Sequence, residues 1–146
     1  MAALVLTAVV AMRKPTILCV DDELNVLSGR EALLRLHGYD VVVTTSGRQS
    51  LRLLQQVAVD AVILDYRMPE MLGDAVAARM KQLKPAVPIM MLSADRVPPA
   101  ALRSVDTFLS KSVPPDLFVD AVHDMVALGA PFFHRWLQTW KQRLSA

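Results

Sequence analysis

The sequence is poor in the residues that build disulfide scaffolds and thiolate or imidazole metal sites. Cys19 is the only cysteine, so no disulfide can form within the chain. It lies in an apolar run, which favours a buried core position and fits a reducing compartment such as the cytoplasm. The three histidines lack the close spacing of metal-binding motifs. The sequence therefore excludes a chain held by internal disulfides and gives no sign of a Cys or His metal site.

The chain also lacks a strong excess of either charge, at a formal net charge of +2. Residues 1–130 carry 13 basic and 14 acidic side chains, and residues 131–146 add three basic side chains and no acidic one. A nucleic-acid-binding domain usually presents a strongly basic face. With 53% hydrophobic and 21% charged residues, the composition is typical of a globular chain. We therefore expect a globular protein that does not bind nucleic acid.

No apolar run in the sequence is long enough to span a membrane. The stretch from Met1 to Met12 is too short, and its positive charges, Arg13 and Lys14, follow the apolar run instead of preceding it as in a signal peptide. Met12 is an alternative start of the chain. Otherwise residues 1–14 form an apolar extension that packs on the body or on a second copy, with a membrane anchor as the least favoured interpretation.

Short apolar runs alternate with helical patterns along the rest of the chain, which predicts an α/β fold with a doubly wound five-stranded parallel sheet. The predicted strands are Thr16–Val20, Tyr39–Thr44, Ala61–Leu64, Val87–Leu92 and Thr107–Leu109. The predicted helices are Asn25–His37, Arg48–Gln55, Asp74–Leu83, a stub of about two turns at Pro98–Val105, and Pro115–Leu128.

Three carboxylates follow two of these strands directly. Asp21 and Asp22 come after the first strand, and Asp65 comes after the third. In an open parallel sheet the carboxyl ends of the strands meet at one crevice, where ligands bind. Clustered carboxylates repel one another unless a cation joins them, and hard oxygen ligands suit Mg²⁺. A strand-end Asp is also a common helix cap, so the alternative for Asp22 or Glu23 is capping of the first helix.

The fourth and fifth predicted strands end in Ser93 and Lys111, a hydroxyl and an ammonium group that suit a phosphoryl group beside a metal ion. The chain resembles the receiver domain of two-component response regulators over about Pro15 to Leu128. The matching motifs are Val20-Asp21-Asp22-Glu23, Leu64-Asp65-Tyr66-Arg67-Met68-Pro69 with Gly73, Leu92-Ser93-Ala94 and Phe108-Leu109-Ser110-Lys111. The resemblance implies a flavodoxin-like sheet of order 2-1-3-4-5.

The resemblance also implies roles for individual residues. Asp65 would be the phosphoacceptor, which attacks a phosphohistidine of a sensor histidine kinase or phosphotransfer protein. Asp22, Asp65 and the backbone carbonyl of Arg67 would bind Mg²⁺ directly, and Asp21 would bind it through water. Lys111 would contact Asp65 and then its phosphoryl group.

The remaining implied roles concern signalling. Ser93 would move to bond the phosphoryl group, and Phe108 would be the aromatic switch that turns inward with it. The less favoured alternatives are an ordinary loop serine for Ser93 and a solvated lysine for Lys111. Phe108 in a strand is by itself more often a core residue, and only the resemblance gives it a switch role.

Three features depart from the family pattern. Ser112 stands where the family usually has a proline after the lysine, and the stretch between Ser93 and Lys111 is several residues short, which shortens the fourth helix. Arg67 and Asp95 lie where they flank the mouth of the phosphoryl site. Our hypothesis is that they pair across that mouth and slow the loss of phosphate by restricting water.

The tail at residues 129–146 is predicted to be an amphipathic helix, because aromatic and leucine side chains recur at helical spacing. These residues are Phe133, Trp136, Leu137, Trp140 and Leu144. Packing of this stripe on its own domain is the first interpretation. The alternative is a surface for a partner or for a homodimer, and a membrane-surface helix ranks third.

The sequence therefore predicts a stand-alone response regulator, cytoplasmic and not an enzyme in the ordinary sense. It would signal to a downstream protein target or pass the phosphate along a relay. The second hypothesis is a scaffold of receiver fold that acts through its tail without phosphorylation. A hydrolytic phosphatase with Asp65 as nucleophile is less favoured, because Arg67 stands where a general acid would follow.

Overall fold

The computed structural model describes the backbone of residues 13–144 and the side chains of residues 13–130. Five parallel strands form one sheet in the order β2-β1-β3-β4-β5, which confirms the predicted fold class and strand order. The strands are β1 Thr16–Val20, β2 Asp40–Thr44, β3 Ala61–Asp65, β4 Ile89–Ser93 and β5 Thr107–Ser110. The helices are α1 Leu24–Leu36, α2 Gly47–Gln56, α3 Gly73–Leu83 and α4 Pro115–Leu144, with a 3₁₀ turn at Pro99–Leu102.

Both faces of the sheet are buried, which explains why β1, β3 and β4 are apolar almost throughout and do not alternate. Residues that point one way along these strands pack with α1 and α4. Those that point the other way pack with α2, α3 and the 3₁₀ turn. Cys19 is fully buried in the first of these layers, as predicted.

The amino edge of the sheet is closed by two aspartates that precede strands. Asp60 accepts a hydrogen bond from the Thr16 backbone N–H at 2.8 Å and pairs with Arg13 at 2.9 Å. Asp106 accepts from the Ile89 N–H at 2.8 Å and from Lys81 Nζ at 2.7 Å. Each carboxylate thus supplies a neighbouring strand with the acceptor that its first N–H needs.

The segment between β4 and β5 corrects the predicted fourth helix. The two-turn stub expected at Pro98–Val105 is wrong, because the structure has only the 3₁₀ turn of four residues. The two prolines correctly mark the start of the turn, but the short connection leaves no length for a longer helix. β4 also begins two residues later than predicted, at Ile89, because Pro88 offers no N–H to the sheet.

The end of the chain is two helical segments that meet at a kink at Gly129, as predicted. α4 extends from Pro115 to Leu144, and Gly129 is its one non-helical residue, with φ of 67° and ψ of 168°. The predicted break at Gly129 is therefore present in the backbone. The aromatic stripe of the tail and the apolar extension at residues 1–12 lie outside the described side chains. None of residues 13–144 belongs to a helix long and apolar enough to cross a membrane.

Candidate functional site

The three predicted carboxylates meet at the carboxyl edge of the sheet. β1 and β3 are neighbours with Val20 opposite Leu64, so Asp21 and Asp65 leave adjacent strands at the same level. Asp21, Asp22 and Asp65 each offer an oxygen, and these oxygens all lie within 4.8 Å of one another. Asp21 and Asp65 are buried, whereas Asp22 is exposed. The cluster therefore has two buried acids and one at its mouth.

The turn into α1 is fixed by Asp21. Its Oδ1 accepts a hydrogen bond from the Glu23 backbone N–H at 3.0 Å. Glu23 is the N-cap residue of α1, and its side chain makes no capping bond. Asp21 thus organises the turn with one oxygen and keeps the other, Oδ2, inside the cluster.

Lys111 joins the two buried acids. It lies directly after β5, and its Nζ is 3.0 Å from Asp21 Oδ2 and 3.1 Å from Asp65 Oδ1. Burial acts to lower the pKa of Lys111, but its contacts with Asp21 and Asp65 outweigh burial, so the pKa is raised. Lys111 is therefore a permanent cation in this site. It reaches Asp65 although Ser112 replaces the usual proline.

Asp65 has the most perturbed carboxylate of the site. Burial, followed by the charge of Asp21, raises its pKa from 3.8 to about 6, against the opposing contact with Lys111. A smaller contribution in the same direction comes from Asp22. A carboxylate with this pKa is ionised at neutral pH, but keeping its charge in this buried site lowers the stability of the fold. An additional cation bound at the acids would lower that cost in stability.

The loop after β3 is held against Asp65 by Gly73. The Gly73 N–H donates to the Tyr66 carbonyl oxygen at 2.8 Å. A Cβ added at Gly73 would lie 2.3 Å from the Asp65 carbonyl oxygen and 2.9 Å from Tyr66 Cα. Only glycine allows this approach, so the motif glycine fixes the backbone that presents the Asp65 carboxylate.

The two predicted switch residues, Ser93 and Phe108, lie on the expected strands, β4 and β5. Ser93 ends β4, is 2% exposed, and its Oγ accepts a hydrogen bond from the Asp95 N–H at 3.2 Å. Phe108 is half-buried on β5 and packs on the layer of α2 and α3. Their roles as switch residues stay predictions.

The predicted contact between Arg67 and Asp95 is present. Arg67 Nε lies 3.2 Å from Asp95 Oδ2, and both side chains are mostly exposed. The pair connects the loop after β3 with the loop after β4. An ion pair this exposed contributes little to stability, so any effect on chemistry would come through access to the site. That effect stays a prediction, as does the Arg67 carbonyl as a metal ligand.

Sequence reasoning missed Arg30, a second cation of the cluster. Its Nη1 lies 3.5 Å from Asp21 Oδ2, and its side chain is 8% exposed. The signal was available, because Arg30 falls three residues after Leu27 and four before Leu34, on the buried stripe of α1. A charged residue in such a stripe calls for a buried partner.

The donor set fits a magnesium ion. Three carboxylate oxygens within 4.8 Å of one another are hard ligands, and the exposed Asp22 leaves room for the water that Mg²⁺ retains. The pKa of Asp65 is raised mainly by burial and then by the charge of Asp21, despite the contact with Lys111. Asp65, Lys111 and a small hard cation are together suited to transfer and hold a phosphoryl group.

Comparison with known proteins identifies the family of this chain. Residues 17–123 match the response regulator receiver domain. The transcriptional regulatory protein GlrR of Escherichia coli (strain K12) is 35% identical over 119 residues, which are 79% of this chain and 27% of GlrR. The chain thus spans about a quarter of that relative's length.

Solved structures show the same fold. A response regulator receiver domain protein (CheY-like) from Methanospirillum hungatei matches with a TM-score of 0.75 at 19% identity, over 79% of this chain and 95% of that one. TrrA from Thermotoga maritima, in complex with Mg²⁺-BeF, matches with a TM-score of 0.73 at 27% identity, over 76% and 98%. With its sheet order and strand-end acids, the match over residues 17–123 shows that this chain belongs to the response regulator receiver domain family.

Proposed function

We propose that this protein accepts a phosphoryl group on Asp65 from a phosphohistidine of a sensor histidine kinase or phosphotransfer protein. The observation that carries the proposal is the position of Lys111, whose Nζ contacts Asp65 Oδ1 and Asp21 Oδ2 within a cluster of three acids. A structural ion pair needs one acid for one lysine. Here the surplus of carboxylates suits a site that takes up further positive charge before it reacts.

Asp65 is the nucleophile of the proposed reaction. Its carboxylate oxygen attacks phosphorus, the bond between phosphorus and the histidine nitrogen breaks, and the electron pair stays with the imidazole of the donor. At neutral pH, above the raised pKa of about 6, the Asp65 carboxylate is deprotonated and needs no general base. Lys111 donates hydrogen bonds to the oxygens that gain charge.

Asp22, Asp65 and the backbone carbonyl of Arg67 are the proposed direct ligands of Mg²⁺, with Asp21 as a ligand through water. When bound, the ion would neutralise the acids and the phosphoryl oxygens. The chain's own contribution is to hold Asp65 in place through Gly73 and to keep Asp21 buried. We further propose that the phosphorylated protein signals through protein contacts or relays the phosphate onward.

Phosphoramidate, a small donor with the same phosphorus–nitrogen bond, tests the acceptor directly. We expect wild type to gain one phosphoryl group in the presence of Mg²⁺, measured by intact-protein mass spectrometry, and Asp65→Asn to gain none. Asp40→Asn removes an exposed carboxylate at the other edge of the sheet and serves as the matched control. Modification of Asp65→Asn at the wild-type level would contradict the proposal. A wild type that stays unmodified would favour the phosphorylation-independent scaffold.

The pair of Arg67 and Asp95 supports a prediction about phosphate lifetime. The two side chains bridge the loops at the mouth of the site, so we expect Arg67→Ala to admit water and shorten the lifetime severalfold. The decay of phosphorylated protein after donor removal measures this lifetime. Arg52→Ala, which removes an exposed arginine from α2, is the control. An unchanged phosphate lifetime in Arg67→Ala would contradict the hypothesis that this ion pair restricts water.

A further inference from the structure

Two cations approach the same buried oxygen of the site. Lys111 Nζ lies 3.0 Å from Asp21 Oδ2, and Arg30 Nη1 lies 3.5 Å from it on the side of α1. This contact lies inside the protein, because the Arg30 side chain is 8% exposed and Asp21 is fully buried. One carboxylate oxygen therefore has two competing partners within the protein.

The contact with Arg30 is not complete. Arg30 Nη1 is buried and has no hydrogen-bond partner among the described residues, whereas Asp21 Oδ2 contacts Lys111 Nζ at 3.0 Å. A separation of 3.5 Å is long for a charge-assisted hydrogen bond, which usually measures about 2.7–2.9 Å. Buried polar atoms left without a partner are costly and call for an explanation. The explanation we favour is a second state of the site in which these two atoms come together.

We infer that Arg30 is a positioning residue that takes over Asp21 when Lys111 moves to the phosphoryl group on Asp65. Lys111 now bonds both acids, so it must weaken its contact with Asp21 to serve the new oxygens. Without Arg30, that movement would leave the fully buried Asp21 with only the proposed Mg²⁺, held through water, as its positive partner. With Arg30 poised at 3.5 Å, a small shift closes the pair. This inference rests on the proposed function.

The charges of the site support the same role. In the described structure, three carboxylates face two cations, which leaves one net negative charge. A divalent ion and a doubly charged phosphoryl group on Asp65 would together bring this sum to zero. Without Arg30 the sum would stay negative in the phosphorylated state. Arg30 is thus set to oppose cation binding in the free protein and to favour the phosphorylated state.

Arg30 should weaken Mg²⁺ binding but strengthen binding of a phosphoryl mimic. Because the two effects have opposite signs, binding measurements alone test the inference. In Arg30→Gln we expect Mg²⁺ to bind about threefold to tenfold more tightly, because a positive charge near the acids is gone. At saturating Mg²⁺ we expect beryllofluoride, which mimics the phosphoryl group, to bind about threefold to tenfold more weakly, because Lys111 stays with Asp21. Isothermal titration calorimetry measures both affinities without any turnover.

Matched variants separate this role from a structural one. Arg30→Lys keeps the charge and should restore both affinities towards wild type, whereas Arg52→Gln changes the net charge far from the site and should alter neither. If Arg30→Gln does not fold, Arg30→Met, which keeps an apolar side chain of similar length, is measured in its place. Weaker binding of both ligands, or no change in either, would show that Arg30 only supports the fold. Wild type that fails to bind beryllofluoride with Mg²⁺ would instead overturn the proposed function itself.

Discussion

Both edges of the sheet bring acidic and basic side chains together, but the two edges differ in how completely the acids are paired. At the amino edge, Asp106 accepts from Lys81 and from the Ile89 N–H, and Lys81 also donates to the Val87 carbonyl oxygen at 2.9 Å. Each acid there has one cation and a backbone donor. At the carboxyl edge, three acids share two cations, and Arg30 Nη1 lacks a hydrogen-bond partner among the described residues.

The difference indicates which ion pairs serve the fold and which serve chemistry. A carboxylate that already accepts from donors within its own chain is not stabilised further by a bound cation. A carboxylate raised to a pKa of about 6 by its surroundings, as Asp65 is, gains stability from any added cation. Substitutions at the two edges should therefore change stability in opposite directions.

The largest change is expected at the amino edge. Asp106→Asn keeps the shape of the side chain but weakens the contacts with Lys81 Nζ and the Ile89 N–H, which leaves a partly buried ammonium without its acid. We expect the free energy of unfolding to fall by about 2–3 kcal/mol, measured by urea titration. Asp95→Asn breaks an exposed pair and should cost at most about 0.5 kcal/mol. Equal losses in the two variants would remove the distinction between the edges.

A substitution at Asp65 is expected to raise the free energy of unfolding. Without Mg²⁺, Asp65→Asn removes a buried charge that is repelled by Asp21, and we expect the free energy of unfolding at pH 8 to rise by about 2 kcal/mol. Because the folded-state pKa is raised from 3.8 to about 6, the wild type loses this stability as the pH rises from 4 through 6. The gain should therefore shrink towards zero near pH 4. A variant that is less stable than wild type at pH 8 would contradict the account.

A smaller gain in stability is expected from a substitution at the N-cap of α3. Leu72 is the N-cap residue of α3, is 47% exposed and makes no side-chain capping bond. Leu72→Asn supplies an acceptor for the first N–H groups, and we expect about 1 kcal/mol of added stability in the same urea titration. Asn is the appropriate choice, because Asp would add charge near Asp65. A loss of stability would show instead that Leu72 contributes apolar burial.

The sequence predicted the strands and their acids well because both signals are local. A run such as Ile17 to Val20 can be buried on both faces only in the middle of a parallel sheet, and the acid that follows must then lie at its carboxyl edge. The strand ends also indicated Ser93 and Lys111, and the resemblance to a known family added their individual roles and Phe108. The contact between Lys111 and Asp65 is present, although Ser112 made that contact uncertain from sequence.

The failures concern properties that depend on distant residues. Pro98 and Pro99 mark where a turn begins, but the connection to β5 decides that only a 3₁₀ turn fits. Arg30 was missed because an arginine among leucines on α1 is interpreted as solvated until Asp21 is placed beside it across the fold. The partner of a buried charge is a tertiary property, and local periodicity indicates only that such a partner is needed.

Titration with Mg²⁺ tests the central claim most directly, because the account depends on three carboxylates that share one ion. Isothermal titration calorimetry of the wild type should show one bound Mg²⁺, and Asp22→Asn should weaken this binding about tenfold or more. Asp40→Asn, at the opposite edge, should leave it unchanged. A wild type that binds no Mg²⁺, or an Asp22→Asn variant that binds it as tightly as wild type, would contradict the account.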